Sequence, residues 1–145
     1  MPLELDMIND YLVRVFNDIL VIEESELKRS KFNVSITEMH TIDAIGMYKK
    51  KTSSEVAKEL SITVGTLTVA INNLVKKGYV KRIRSKNDRR VVRLGLTKQG
   101  KLLFRIHQHF RKEVVKSILR NMNPPEESAL LGALKNLHDF LQEYR

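Results

Sequence analysis

The chain has no cysteine and no tryptophan, three prolines, six glycines, and aromatic residues at only 6% of its 145 positions. Without cysteine there are no disulfides, no thiolate metal sites and no thiol redox sensing. So little proline and glycine excludes a linker or low-complexity chain. No apolar run approaches the ~18–20 residues needed to cross a bilayer. The opening MPLELDMIND is acidic and lacks the basic-then-apolar order of a secretion signal, so a cytoplasmic protein with no membrane partner is expected. No nucleophile elbow, phosphate loop or paired-acid motif appears. His107 and His109 stand two apart on a helix, point to different sides and make a poor metal pair. Neither an enzyme nor a bound cofactor or metal is expected.

What is present is charge, and its distribution matters more than its total. The formal charge is +9 on a chain that is 42% hydrophobic and 30% charged, enough for one domain with a core. Residues 76–105 hold twelve Lys and Arg against Asp88 alone, a local +11 that leaves −2 for the rest. A basic run is usually a solvated face, so its surroundings must decide what it means.

Residues 3–29 place Leu5, Ile8, Leu12, Val15, Phe16, Ile19 and Ile22 on one stripe of a long helix. Ser35 and Glu38 have capping-box spacing and start a short helix lined by Ile36, Met39, Ile42 and Ile45; Gly46 and Lys49 to Lys51 break it. Thr52 and Glu55 repeat that spacing before another short helix. Ser61 and Ile62 make a tight connection, and Thr63 caps a helix over 64–78 with Leu67, Ile71 and Leu74 inward and Gly78 closing it. Two short helices joined this way form a helix-turn-helix. YVKRIR (79–84) and VVRLGL (91–96) then read as strands joined by the polar SKNDRR, a basic hairpin. The whole is mainly α with a small β-hairpin wing: a winged helix-turn-helix.

The remainder is helical. Thr97 opens a helix carrying Leu103, Ile106, Phe110 and Val114 that ends near Asn121, and Asn123-Pro124-Pro125-Glu126 starts the last one. Leu130, Leu134, Leu137 and Leu141 form its stripe. The first and last helices are too amphipathic to stand alone, so a homodimer is expected. The domain reading is 1–34 with 98–145 as an N- and C-terminal helical dimerisation domain, and 35–97 as a DNA-binding lobe.

The side of helix 64–78 opposite its apolar residues carries Gly65, Val69, Asn72 and Lys76, flanked by Thr66, Thr68 and Asn73. Thr and Asn bond base edges, and Val69 suits a thymine methyl. Ser53 and Ser54 begin the preceding helix, whose free N–H groups suit a phosphate. Arg82, Arg84, Lys86, Arg89 and Arg90 charge the wing for the backbone and a narrow minor groove. Asp88 is not attracted to DNA, and its expected role is to hold Arg90. Double-stranded DNA with pseudo-palindromic half-sites is the expected partner of a twofold dimer. A winged helix that binds RNA is disfavoured, because the wing has no aromatic residue beyond Tyr79 at its base.

The run SSEVAKEL…TLTVAINNLVKKGYVKRIRSKNDRRVVRLGLTKQG resembles the MarR family of winged-helix regulators. The pattern is Gly78-Tyr79-Val80, then Asp88-Arg89-Arg90, then Leu96-Thr97 to Gly100. The resemblance implies a homodimeric transcriptional regulator in which Asp88 and Arg90 are the wing-tip pair. NDILVIEESELKRSKF and VSITEMHTIDAIG resemble, more narrowly, the fatty-acid-synthesis repressors of streptococci, enterococci and relatives. That subgroup implies repression of fatty-acid genes, with long-chain acyl-acyl carrier protein as corepressor and effector. An acyl chain would then lie among Phe16, Ile19, Leu20, Met39 and Ile42, and the acidic carrier protein would meet Arg105, Arg111 and Lys112. The alternative within the family is a repressor released by a small aromatic ligand.

Overall fold

Residues 2–145 are described by the computed structural model, with side chains from Leu3 onward. Helix α1 spans Pro2–Arg29 and α2 Ile36–Ile45; strand β1 is Lys51–Thr52; α3 is Ser53–Leu60 and α4 Val64–Lys77. Strands β2 (Val80–Arg84) and β3 (Val92–Leu96) follow, then α5 (Lys98–Leu119) and α6 (Pro124–Gln142). The chain divides into two compact units, residues 1–101 and 102–145, with the boundary inside α5. No helix among the described residues is long and apolar enough to cross a membrane.

The helix boundaries follow their local chemistry. Ser35 and Glu38 form a complete capping box, with the Glu38 N–H donating to Ser35 Oγ at 3.1 Å and the Ser35 N–H donating to Glu38 Oε1 at 2.9 Å. Thr63 caps α4 by accepting the Thr66 N–H at 3.1 Å, and Asn123 with Glu126 boxes the start of α6. Gly78 ends α4 at φ +89°, a left-handed conformation that glycine adopts without a Cβ penalty. Ser61 takes the same region, φ +57°, in the turn between α3 and α4.

Two expectations need correction. The lysines at 49–51 do not merely end a helix, because Lys51 and Thr52 pair antiparallel with Leu94 and Arg93 and make a third strand. The sheet order is β1-β3-β2, so the hairpin's second strand is central. The spacing from Thr52 to Glu55 gives only half a capping box. Thr52 Oγ1 accepts the Glu55 N–H, but the Glu55 carboxylate receives the Thr52 hydroxyl at 3.2 Å and lies 3.8 Å from Arg93. Thr52 is itself a strand residue, and that geometry redirects the glutamate.

The core of the first unit collects one face of each element. Met39, Ile42 and Ile45 come from α2, Val56 and Ala57 from α3, and Leu67, Ile71 and Leu74 from α4. Val80, Leu94 and Leu96 complete it from the sheet, all at most 2% exposed. Helix α1 contributes Leu27 and Glu23 near its end, and Glu23 Oε2 lies 3.2 Å from His40 Nε2. Most of its apolar side chains, from Leu3 to Ile22, remain exposed. In the second unit α6 buries no residue, and Leu131, Leu134, Leu137, Phe140 and Leu141 are bare.

Candidate nucleic-acid interface

Helix α4 turns Leu67, Ile71 and Leu74 inward and leaves Gly65, Thr66, Thr68, Val69, Asn72, Asn73 and Lys76 exposed, as its periodicity predicts. Val69 is 61% exposed, an unfavourable place for an isopropyl group unless something covers it. The threonines are not equivalent. Thr68 donates its hydroxyl to Val64 O at 2.8 Å, leaving its methyl and an acceptor lone pair outward. Thr66 accepts the Thr63 hydroxyl at 2.9 Å, so its own hydroxyl proton remains available.

Helix α4 is tied to α2 at its C-terminal end. At its C-terminus Lys77 Nζ reaches Glu38 of α2 at 2.8 and 3.1 Å. Burial pushes the Glu38 carboxyl upward. Hydrogen bonds from Lys77 and from the Ser35 N–H, with the lysine's charge, outweigh burial and hold the group below the ordinary carboxylate range. Elsewhere in the lobe Lys51 Nζ donates to Ala44 O at 2.6 Å and pairs with Glu59 at 2.9 Å, joining β1, α2 and α3. In α3, Thr52 uses its side chain on Glu55, and the N–H groups of half-buried Ser53 and exposed Ser54 stand at the helix start, where no intrahelical acceptor is available.

The wing is a braced loop. Ser85 N–H donates to Val91 O at 3.1 Å, Val91 N–H to Asp88 O at 3.0 Å, and the Asn87 and Asp88 amides turn toward Ser85 Oγ. Asp88 Oδ1 accepts both the backbone N–H of Arg90 at 3.0 Å and its Nε–H at 3.3 Å. The Arg90 side chain is nevertheless 92% exposed, so the pair aims the guanidinium without hiding it. Arg84 donates to Arg89 O at 3.1 Å, and Lys86 and Arg89 project into solvent. Arg82 on β2 donates to Asn72 Oδ1, directly joining wing and helix.

All the residues expected to meet DNA therefore lie in the first unit, on α3, the Thr63 cap, α4 and the wing. Three ties were not foreseen: Lys77 to Glu38, Lys51 to its neighbours, and Arg82 to Asn72. The first joins residues 39 apart in sequence, and no local signal announces it. The effector residues are less unified. Met39 and Ile42 are fully buried, whereas Phe16 and Leu20 are exposed on α1 and Ile19 is half-buried. Arg111 and Lys112 line a shallow groove of about 320 Å3 on α5 with Gln108, Val115 and Lys116; Arg105 is exposed on the same helix but outside that lining.

Residues 32–91 match the family described as MarR. The fold is similar to that of Streptococcus pneumoniae FabT, solved in complex with DNA, with 48% identity and a TM-score of 0.87 over 97% of this chain and 99% of that one. MepR of S. aureus, also solved with DNA, is 20% identical with a TM-score of 0.72 over 91% of this chain and 95% of its own, a likeness of fold alone. In sequence, the multiple antibiotic resistance protein MarR of Salmonella typhimurium is 26% identical over 132 residues, 90% of this chain and 85% of that protein.

Proposed function

The chain belongs to the MarR family of winged-helix transcriptional regulators and is not an enzyme, and on that premise we propose that it is a homodimeric repressor of fatty-acid biosynthesis genes. It binds a pseudo-palindromic operator in double-stranded DNA in the cytoplasm, with long-chain acyl-acyl carrier protein as corepressor. The observation that carries DNA binding is the wing tip, where Asp88 holds an almost fully exposed Arg90. Asp88 there orients the arginine rather than attracting DNA. The likeness to FabT, itself solved on DNA, supports the same reading.

In this reading residues 35–97 form the DNA-binding lobe, and residues 1–34 with 98–145 form the dimerisation domain. The bare apolar faces of α1 and α6 support a second copy as their cover. The corepressor rests on the subgroup resemblance and on the α5 groove, where Arg111, Lys112 and Lys116 flank Val115, a basic rim suited to an acidic carrier protein. Arg105 adds charge to that helix. The acyl chain would lie among Phe16, Ile19, Leu20, Met39 and Ile42, and burial of the last two requires neighbouring side chains to move aside.

The deciding experiment is a footprint on the protein's own promoter region, repeated with acyl-acyl carrier protein. A protected inverted repeat, bound more tightly with the thioester, is expected. Linkage then requires operator DNA to tighten thioester binding by the same factor. Weakened or unchanged binding with the thioester, or release by a small aromatic ligand, discards the corepressor and leaves DNA binding standing.

A further inference from the structure

Helix α4 and the wing are separate elements, yet here one hydrogen bond joins them. Arg82 pairs with Leu94 across the sheet, so it lies on the face that carries Val80, Leu94 and Leu96, and Lys81 and Ile83 take the other. From there its guanidinium donates to Asn72 Oδ1 on the exposed side of α4. Among the described residues Arg82 makes no ion pair, so a permanent cation is committed to a neutral amide. The orientation of that amide is chemically determined. Flipped over, its NH2 would face the guanidinium donors, and arginine accepts nothing.

We infer that Arg82 is a positioning residue for base reading: it holds the Asn72 carboxamide by one oxygen lone pair and leaves its NH2 to donate to an acceptor on the base edge. In the major groove such acceptors are purine N7, guanine O6 and thymine O4. The inference rests on the proposed binding of duplex DNA and adds how one position of the site is selected. A bidentate contact with adenine would then be restricted, because Oδ1 reaches the groove with only its second lone pair free.

The test is a selection from double-stranded oligonucleotides with a randomised core, using the full-length wild type, Arg82→Lys, Arg82→Ala, Asn72→Ala and the double variant of Arg82→Lys with Asn72→Ala. Titrations of the enriched duplex at several salt concentrations follow. Lysine keeps the charge but lacks the planar fork. Arg82→Lys should therefore relax preference at one base pair by roughly tenfold, the same pair that Asn72→Ala relaxes, with the wild-type salt slope retained. The two changes combined should relax it no further. If Arg82→Lys keeps full preference, the inference is overturned. So it is if Arg82→Ala weakens all sequences equally and lowers the salt slope by about 1, the signature of a phosphate contact alone. A wild type that enriches no duplex removes the DNA reading itself, and that result is distinct from the other two.

Discussion

Gly100 and Tyr79 lie so close that a Cβ on the glycine would stand 2.1 Å from the tyrosine carbonyl oxygen. Thr97 occupies the same junction, its N–H donating to Tyr79 O at 3.0 Å and its hydroxyl to Gly78 O at 2.6 Å. The two glycine-bearing ends of the family pattern, Gly78-Tyr79-Val80 and Leu96-Thr97 to Gly100, are thus two sides of one contact. It fastens the start of the wing to the start of α5.

Gly100→Ala must push backbone apart, because the atom it meets is a carbonyl rather than a flexible side chain. A loss of about 3 kcal/mol is expected, the upper end of ordinary overpacking. Urea denaturation reads it as a lower midpoint, and an unchanged midpoint would contradict the close approach.

The Glu38–Lys77 pair makes a prediction about acid. The folded carboxyl titrates below its ordinary value, so the stability it contributes is complete above the unfolded pKa. That stability is lost as pH falls through the lower, folded pKa. Glu38→Gln should cost about 1–3 kcal/mol near neutral pH. The gap between variant and wild type should close in the acid range below the ordinary carboxylate pKa. A gap that widens on acidification gives the wrong sign.

Arg90→Ala should weaken operator binding by about 1–3 kcal/mol. Asp88→Ala should cost at most about 1 kcal/mol, the scale of an exposed ion pair, because it frees Arg90 without removing it. Gel shifts at moderate salt compare the two. Wild-type affinity in Arg90→Ala would rule out the wing contact.

Leu134 and Leu141 lie on α6, 51% and 48% exposed in the single chain. If a second copy covers that face, each buried leucine contributes roughly 1.5–3 kcal/mol. Leu134→Glu should then shift sedimentation from dimer to monomer with helix content retained. A wild type that sediments as a single chain would end the dimer reading.

Most elements of the fold are readable from the chain because their causes are local. Ser35 with Glu38, Thr63 with Thr66 and Asn123 with Glu126 act within one helical turn, and each helix begins where its cap stands. The alternation of Val92, Leu94 and Leu96 needs only the pleat of a strand, and the neighbouring Asp88 and Arg90 meet within a short loop. The two-residue β1 is different. It has no periodicity of its own and exists because β3 supplies its hydrogen bonds.

By itself, then, the amino-acid order determined the helices, the turn, the basic hairpin and the outward set on α4, since spacing and capping act over a few residues. Tertiary structure alone decided which groups became partners across the fold. It set Glu38 against Lys77, Asn72 against Arg82, and Gly100 against the Tyr79 carbonyl. Periodicity marks an apolar face but not what covers it, so α2 and α4 sank their stripes into the core while α1 and α6 left theirs bare. The reason is that a side chain's reach is a few ångströms in space, whatever its distance along the chain.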